Sequence, residues 1–282
     1  MMLELWYNIS GFLLPFEWVN HDFMKNALLA VLLLTPVFGL LGTMVVSNRM
    51  AFFSDSIGHG AFTGVALGAL LGGIQPIWGA ILFSVVFAVT ITIIKNRTKT
   101  STDTVIGVFS STAVAIGLVI MSAGGDFNKF SSYLVGDILS ISPFEILLLL
   151  LAFVAIIVLW LVIFNKVLLT SINQSLASSR GVNTLLVDIL FTVAIAVVVT
   201  ITIQWVGLLI INSLIVLPAA ASRNITHNVR QYHAVSVGIS MFSGIAGLIC
   251  SYYWNTATGA TIVLIAAAAF FATFLLRKRF AA

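Results

Sequence analysis

Phe144–Phe164 reads FEILLLLLAFVAIIVLWLVIF, with a single charge at its second position. A run of about 20 apolar residues is long enough to cross the hydrocarbon core of a bilayer as an α-helix. Polar and apolar residues do not alternate along it, which excludes a membrane β-barrel strand. Working outward, comparable runs occupy Lys25–Val46, Ile57–Leu71, Ile77–Ile94, Thr104–Met121, Pro143–Phe164, Thr184–Thr202, Trp205–Ala220, Ala234–Tyr253 and Ala260–Leu276. The second is expected to begin nearer Met50. The seventh is short and expected to stop at Pro218, as a broken or partial crossing. The predicted fold is all-α: a polytopic helical membrane protein with about eight or nine transmembrane helices.

Composition agrees. Of 282 residues 60% are hydrophobic and 8% charged, against about 25% charged in a soluble domain, and the mean hydropathy is +1.15. The net charge of +4 suggests nucleic acid only until the charges are placed. Eleven of the 13 basic residues fall in alternate loops: Arg49; Lys95, Arg97 and Lys99; Lys166 and Arg180; Arg223 and Arg230; Arg277, Lys278 and Arg279. Only Lys25 and Lys129 lie in the others. Basic loops stay cytoplasmic, so the C-terminus is expected inside and the N-terminus outside, and nucleic-acid binding drops out. Trp78, Tyr133, Trp205 and Tyr252–Trp254 then form an outer aromatic belt.

Residues 1–22 carry an acid where a cleavable signal has its basic region. With Trp6, Tyr7 and Trp18 they read as an interfacial segment. Residues 23–276 read as one transmembrane domain with a cytoplasmic loop at about 165–183, and 277–282 as a basic tail. The lone cysteine, Cys250, allows no intramolecular disulfide.

The chain has no G-x-x-x-x-G-K-[ST] phosphate loop, no G-x-S-x-G elbow and no H-E-x-x-H. It is therefore not read as an enzyme, and any ATP that drives it is bound by another chain. Ionisable groups within membrane helices remain as candidates, because each is costly there unless paired or hydrated. Glu145 completes a capping box with Ser142 in SPFE. Asp103 opens a helix, where the dipole favours a carboxylate. Asp188 lies about a turn inside its helix and is read as snorkelling or meeting Arg180.

Asp55 and His59, in the stretch SDSIGHGAFTGVALG (Ser54–Gly68), are different. At i and i+4 they share one helical face, which Thr63 extends. Gly60, Gly64, Gly68 and Gly72 recur every four residues on a neighbouring face, a spacing that lets another helix pack closely. Imidazole and carboxylate at this separation suit a transient ligand pair for a divalent cation. A buried Asp–His hydrogen bond that only specifies packing is the alternative. Asn212 and Ser213 form a second polar spot as pathway candidates beside Thr63. His227 and His233 read as solvated in a basic loop, and His21 and Asp22 as lying at the outer mouth.

Several blocks resemble, in order, the integral-membrane permeases of bacterial ATP-binding-cassette importers for zinc and manganese. They are RMAFFSDSIGHGAFTGVALG, TDTVIGVFSS, YLVGDILSIS, NQSLASSRGV, VGLLIINSLIVLPAAASRN and SYYWNTATGATIVL. The chain departs from the family's pattern in having Asn173–Gln174 where Asp-Pro or Ser-Pro is common, and no proline near NTATG. The resemblance implies a type II importer fold and a homodimer. Its partners would be two cytoplasmic ATPase subunits carrying the ATP and an extracytoplasmic metal-binding protein, in a bacterial cytoplasmic membrane. It implies Asp55 and His59 as transient metal ligands, and Asn173, Ala177 and Gly181 as the coupling segment towards the ATPase. The transported ion would be Zn²⁺, by closer likeness of YLVGDIL and NSLIVLPAA to the zinc branch, with Mn²⁺ or iron as alternatives. A stand-alone secondary transporter and an intramembrane metalloenzyme are the other classes left open.

Overall fold

The computed structural model describes residues 6, 7, 10, 17–71, 75–124 and 132–280. Gly72 and Lys129 lie outside the described residues. Among the described residues eleven α-helices follow in order: α1 Asp22–Ser47, α2 Phe53–Leu71, α3 Pro76–Arg97, α4 Thr102–Gly124, the short α5 Ser132–Val135, α6 Pro143–Ile172, the short α7 Gln174–Ser179, α8 Thr184–Val206, α9 Leu208–Arg223, α10 Val229–Trp254 and α11 Thr258–Phe280. There is no strand among the described residues.

Seven of these helices are long and apolar enough to cross a membrane. The other two long elements complete the nine expected segments. α2 has 19 residues, and Ser54, Asp55, Ser56 and His59 make its first turns polar. α9 has 16 residues, about 24 Å of helix. Its expected stop at Pro218 is corrected, since the helix runs through that proline to Arg223, and Pro36 is likewise inside α1. Neighbouring helices in a membrane re-satisfy the carbonyl a proline leaves free. The interruption falls instead at Gly207, whose φ of 87° is open to glycine and strained for other residues.

Helix starts follow side-chain chemistry. Asn173, Asn183 and Asn228 each cap a helix by accepting the N–H three residues on. Ser142 and Glu145 make the expected reciprocal box, with Ser142 N–H donating to Glu145 Oε2 at 2.7 Å and Glu145 N–H to Ser142 Oγ at 3.4 Å. On α6, Leu151, Val154, Val158 and Leu161 form an exposed apolar stripe at helical spacing. Such a stripe is a liability in water and natural against hydrocarbon.

The chain divides into two compact units. One comprises residues 1–43, 137–154 and 213–282. Within it the start of α1 receives the N-terminal aromatics: Trp6 Nε1–H donates to Lys25 O at 2.9 Å and Tyr7 O–H to Asn26 Oδ1 at 2.8 Å. Trp18 is buried. Ser236 Oγ–H donates to Gly39 O at 2.8 Å, joining α10 to α1. α10 also packs on α11, where Gly247 lies against Ile262.

The other unit comprises residues 44–136 and 155–212. Here α2 packs against α3, α4 and α8, and α3 against α8. The glycine face expected on α2 meets α3. A Cβ at Gly60 would lie 2.8 Å from Phe87, one at Gly64 2.7 Å from the Ala80 Cα, and one at Gly68 3.3 Å from the Pro76 Cα. Close backbone approach of this kind is what drives helix association where lipid removes the hydrophobic difference. Between α3 and α8 the contact is a buried polar seam, with the Thr92 and Thr192 hydroxyls 2.9 Å apart. Ser84 and Ala88 on α3, and Ala196 and Thr200 on α8, continue the four-residue spacing and are all buried.

Candidate metal site

The start of α2 is set by the turn before it. Arg49 takes a left-handed φ of 55°, Met50 N–H donates to Val45 O, and Phe53 N–H donates to Met50 O, each at 2.9 Å. Asp55 therefore lies in the first turn, where the helix dipole favours an anion, and His59 stands one turn on. His59 Nε2 is 3.6 Å from Asp55 Oδ2, with the two side chains 27% and 37% exposed. Their neighbours Ser54, Ser56, Ile57 and Ala61 are fully buried, so the pair is a polar opening on a helix that is otherwise interior. A closed imidazolium–carboxylate bond measures about 2.7–2.9 Å. At 3.6 Å the two groups converge without closing, and both keep lone pairs for a third atom.

Beside them, Ser54 Oγ–H donates to Asn212 Oδ1 at 2.5 Å, which brings Asn212 on α9 to the first turn of α2. Thr63 serves packing. It is buried, and its hydroxyl donates to Ala113 O at 2.6 Å, tying α2 to α4. Ser213 is half-buried and belongs to the other unit.

The remaining histidines belong to the other unit. His21 stacks on Phe23 at 5.3 Å, and Asp22 pairs with Lys25 at 3.4 Å. His227 is exposed as expected, but His233 is not in a solvated loop. It sits half-buried in α10, with Nε2 3.0 Å from Thr43 Oγ1 and Nδ1 2.8 Å from Val229 O. The helix starts at Val229, earlier than its apolar residues reveal, because Asn228 caps it. Among the described residues no group of three or more His, Cys, Asp or Glu side chains comes together. One chain supplies two donors.

The segment Asn173–Gly181 forms a surface helix. Asn173 caps α7, accepting Leu176 N–H at 3.0 Å, and Ala177 is buried. Gly181 takes φ 77°. Its N–H donates to Ser178 O at 3.0 Å and that of Val182 to Ala177 O at 3.1 Å, the pattern of a Schellman cap. The cap explains the glycine, which supplies the left-handed residue, while Ala177 is the small buried residue four positions before it. Leu176 is 43% exposed.

Asp188 does not meet Arg180. Its Oδ2 lies 3.8 Å from Lys95 Nζ and 3.3 Å from Asn96 Nδ2 on α3. Sequence reasoning missed this partnership, because nothing local signals which helix a lone carboxylate will face.

Seven membrane-crossing helices among the described residues, with a short surface helix and an open Asp–His pair in one of the two units, are those of a polytopic membrane protein. The model of the ABC 3 transport family matches residues 20–277. The chain belongs to that family. It is 30% identical over 244 residues to the high-affinity zinc uptake system membrane protein ZnuB of Buchnera aphidicola, covering 86% of this chain and 93% of that one. It is 27% identical over 261 residues to the manganese import system permease protein ScaB of Streptococcus gordonii, covering 92% and 94%. Among solved structures, PsaBC from Streptococcus pneumoniae in complex with Fab superposes with a TM-score of 0.80 at 27% identity, covering 99% of this chain and 98% of that one.

Proposed function

We propose that this chain is the permease subunit of an ABC importer for divalent first-row metal ions, with zinc as its principal cargo. It acts as a homodimer with two cytoplasmic ATPase subunits, which bind the ATP, and receives its ion from an extracytoplasmic metal-binding protein. The observation that carries the reading is the Asp55–His59 pair, half-exposed and unclosed at 3.6 Å on a helix whose other faces are packed. The zinc and manganese importers among its relatives point to the same class of cargo.

A two-fold axis along the pathway presents the same patch twice, so two copies supply two carboxylates and two imidazoles. Such a set suits Zn²⁺, and it lacks the thiolates that would hold the ion too firmly for release. Proton and metal compete for both groups, because a ligand must be deprotonated to bind. The excess of basic residues at the Arg49, Arg97 and Arg223 ends of the helices supports a cytoplasmic location for those ends, with the coupling segment at Asn173–Gly181 towards the ATPase. ATP turnover there shifts the helices and alternates access to the pair.

The test is uptake of radioactive zinc by the reconstituted complex, with manganese as competitor, normalised to assembled protein. Asp55→Ala and His59→Ala are expected to abolish uptake while assembly persists. Near-normal transport by either variant overturns the pathway role of the pair. A wild type that carries manganese and ignores zinc replaces the cargo.

A further inference from the structure

The polar groups around Lys95 are not used by the metal pair, yet they lie between it and the surface helix α7. Gln174, the first residue of α7, donates from Nε2 to Asn96 Oδ1 at 3.3 Å. Asn96 donates from Nδ2 to Asp188 Oδ2 at 3.3 Å, and Lys95 Nζ stands 3.8 Å from the same oxygen. Lys95 Nζ also reaches Met50 Sδ at 3.6 Å. Met50 is buried, and its carbonyl accepts the N–H of Phe53, the residue at which α2 begins. Asp55 follows two residues later. Lys95 and Asp188 are only 19% and 20% exposed, so removing either leaves its partner's charge largely buried and uncompensated.

We propose that Lys95, Asn96 and Asp188 form a positioning relay that ties α7 to the turn from which α2, and with it the Asp55–His59 pair, starts. The proposal rests on the transport reading above and extends it to residues that touch neither the ion nor the ATPase. A push on α7 is felt first at Gln174. It passes to the end of α3 through Asn96, and Lys95 carries it to the Met50 turn. Asp188 anchors the crossing point to α8. Because α2 and α3 are in backbone contact along their glycine face, displacement of α3 is shared by α2.

The experiment measures metal transported per ATP hydrolysed by the full complex in liposomes, for wild type, Asp188→Asn, Gln174→Ala and the exchange Lys95→Asp with Asp188→Lys. Gln174 is exposed, so its variant tests the relay where folding is not at stake. Asp188→Asn and Gln174→Ala are expected to lower the ratio about five- to tenfold, the scale of a modest coupling energy, with ATP turnover continuing. The exchange keeps the ion pair but removes the Lys95–Met50 contact that carries the relay, so its ratio is expected to stay low, and full recovery overturns the relay. Wild-type ratios in both single variants overturn the relay. So does a fall in uptake matched by an equal fall in ATP turnover. A wild-type complex that hydrolyses ATP and moves neither zinc nor manganese overturns the transport reading itself, and the relay with it.

Discussion

Replacing Gly64 by alanine tests the contact that holds the helix carrying Asp55 and His59 in place. The new Cβ would sit 2.7 Å from Ala80 Cα, 2.8 Å from Gly79 O and 2.9 Å from Phe83 Cβ. Two of those three atoms are backbone, which no rotamer change moves. Restoring an ordinary contact of 3.4 Å from 2.7 Å requires the α2–α3 pair to open by roughly 0.7 Å, a gap that forfeits a quarter to a half of each dispersion contact nearby. Overpacking against fixed atoms costs about 2–3 kcal/mol. Alanine returns about 1 kcal/mol of helix propensity, leaving a net loss of about 1–2 kcal/mol. Gly58→Ala is the control in the same helix. Its Cβ meets side-chain atoms at ordinary contact distance, Leu208 from 3.5 Å and Ile211 Cγ2 at 4.0 Å, so the propensity gain stands and the variant should match or exceed wild type. The assay is thermal unfolding of the purified permease complex, followed by uptake at a permissive temperature. Gly64→Ala should unfold earlier than Gly58→Ala and transport less, because Asp55 and His59 move with α2. Equal stability of the two variants would refute the argument from close backbone approach.

Gly181→Val places a β-branched residue at φ 77°, a cost of about 1–2 kcal/mol confined to the end of α7. Metal moved per ATP should fall while the protein remains in the membrane, and Gly181→Asn, which tolerates this conformation, should retain more. Reporter tags inserted at Thr98–Thr100 and at the C-terminus should both read cytoplasmic, and one at Asn255–Ala257 should read outside; a cytoplasmic Asn255 would reverse the assignment made from the basic loops.

Much of this architecture is legible in the chain, because membrane helices are specified by local composition. The apolar runs place the helices, and the Ser142–Glu145 box marks the start of α6 by short-range hydrogen bonds. The Asp55–His59 pair and the glycine face beside it are legible for the same reason, since spacings of four residues in a helix are fixed by its pitch. What escaped depends on partners far away in sequence. Pro218 stays helical because its surroundings tolerate the lost bond, and the true interruption needed only one left-handed glycine, Gly207. Thr63 looked like part of a polar stripe, but Ala113 on another helix claims its hydroxyl. Asp188 found Lys95 across a gap of more than 90 positions in the sequence, a distance no local pattern spans.

The seam between α3 and α8 has a consequence for alignment. Ser84, Ala88 and Thr92 face a row of equally small partners on α8, Thr192, Ala196 and Thr200, at the same four-residue interval. Slid by one helical turn, about 5.4 Å, small groups would again meet small groups, and packing alone would scarcely distinguish the two settings. Asp188 breaks that degeneracy. One turn away it would face Thr92 or the chain beyond the end of α3, losing both Lys95 and Asn96. A single charged side chain at the rim thus works as the index mark on an otherwise repeating scale, holding two smooth helices at one setting.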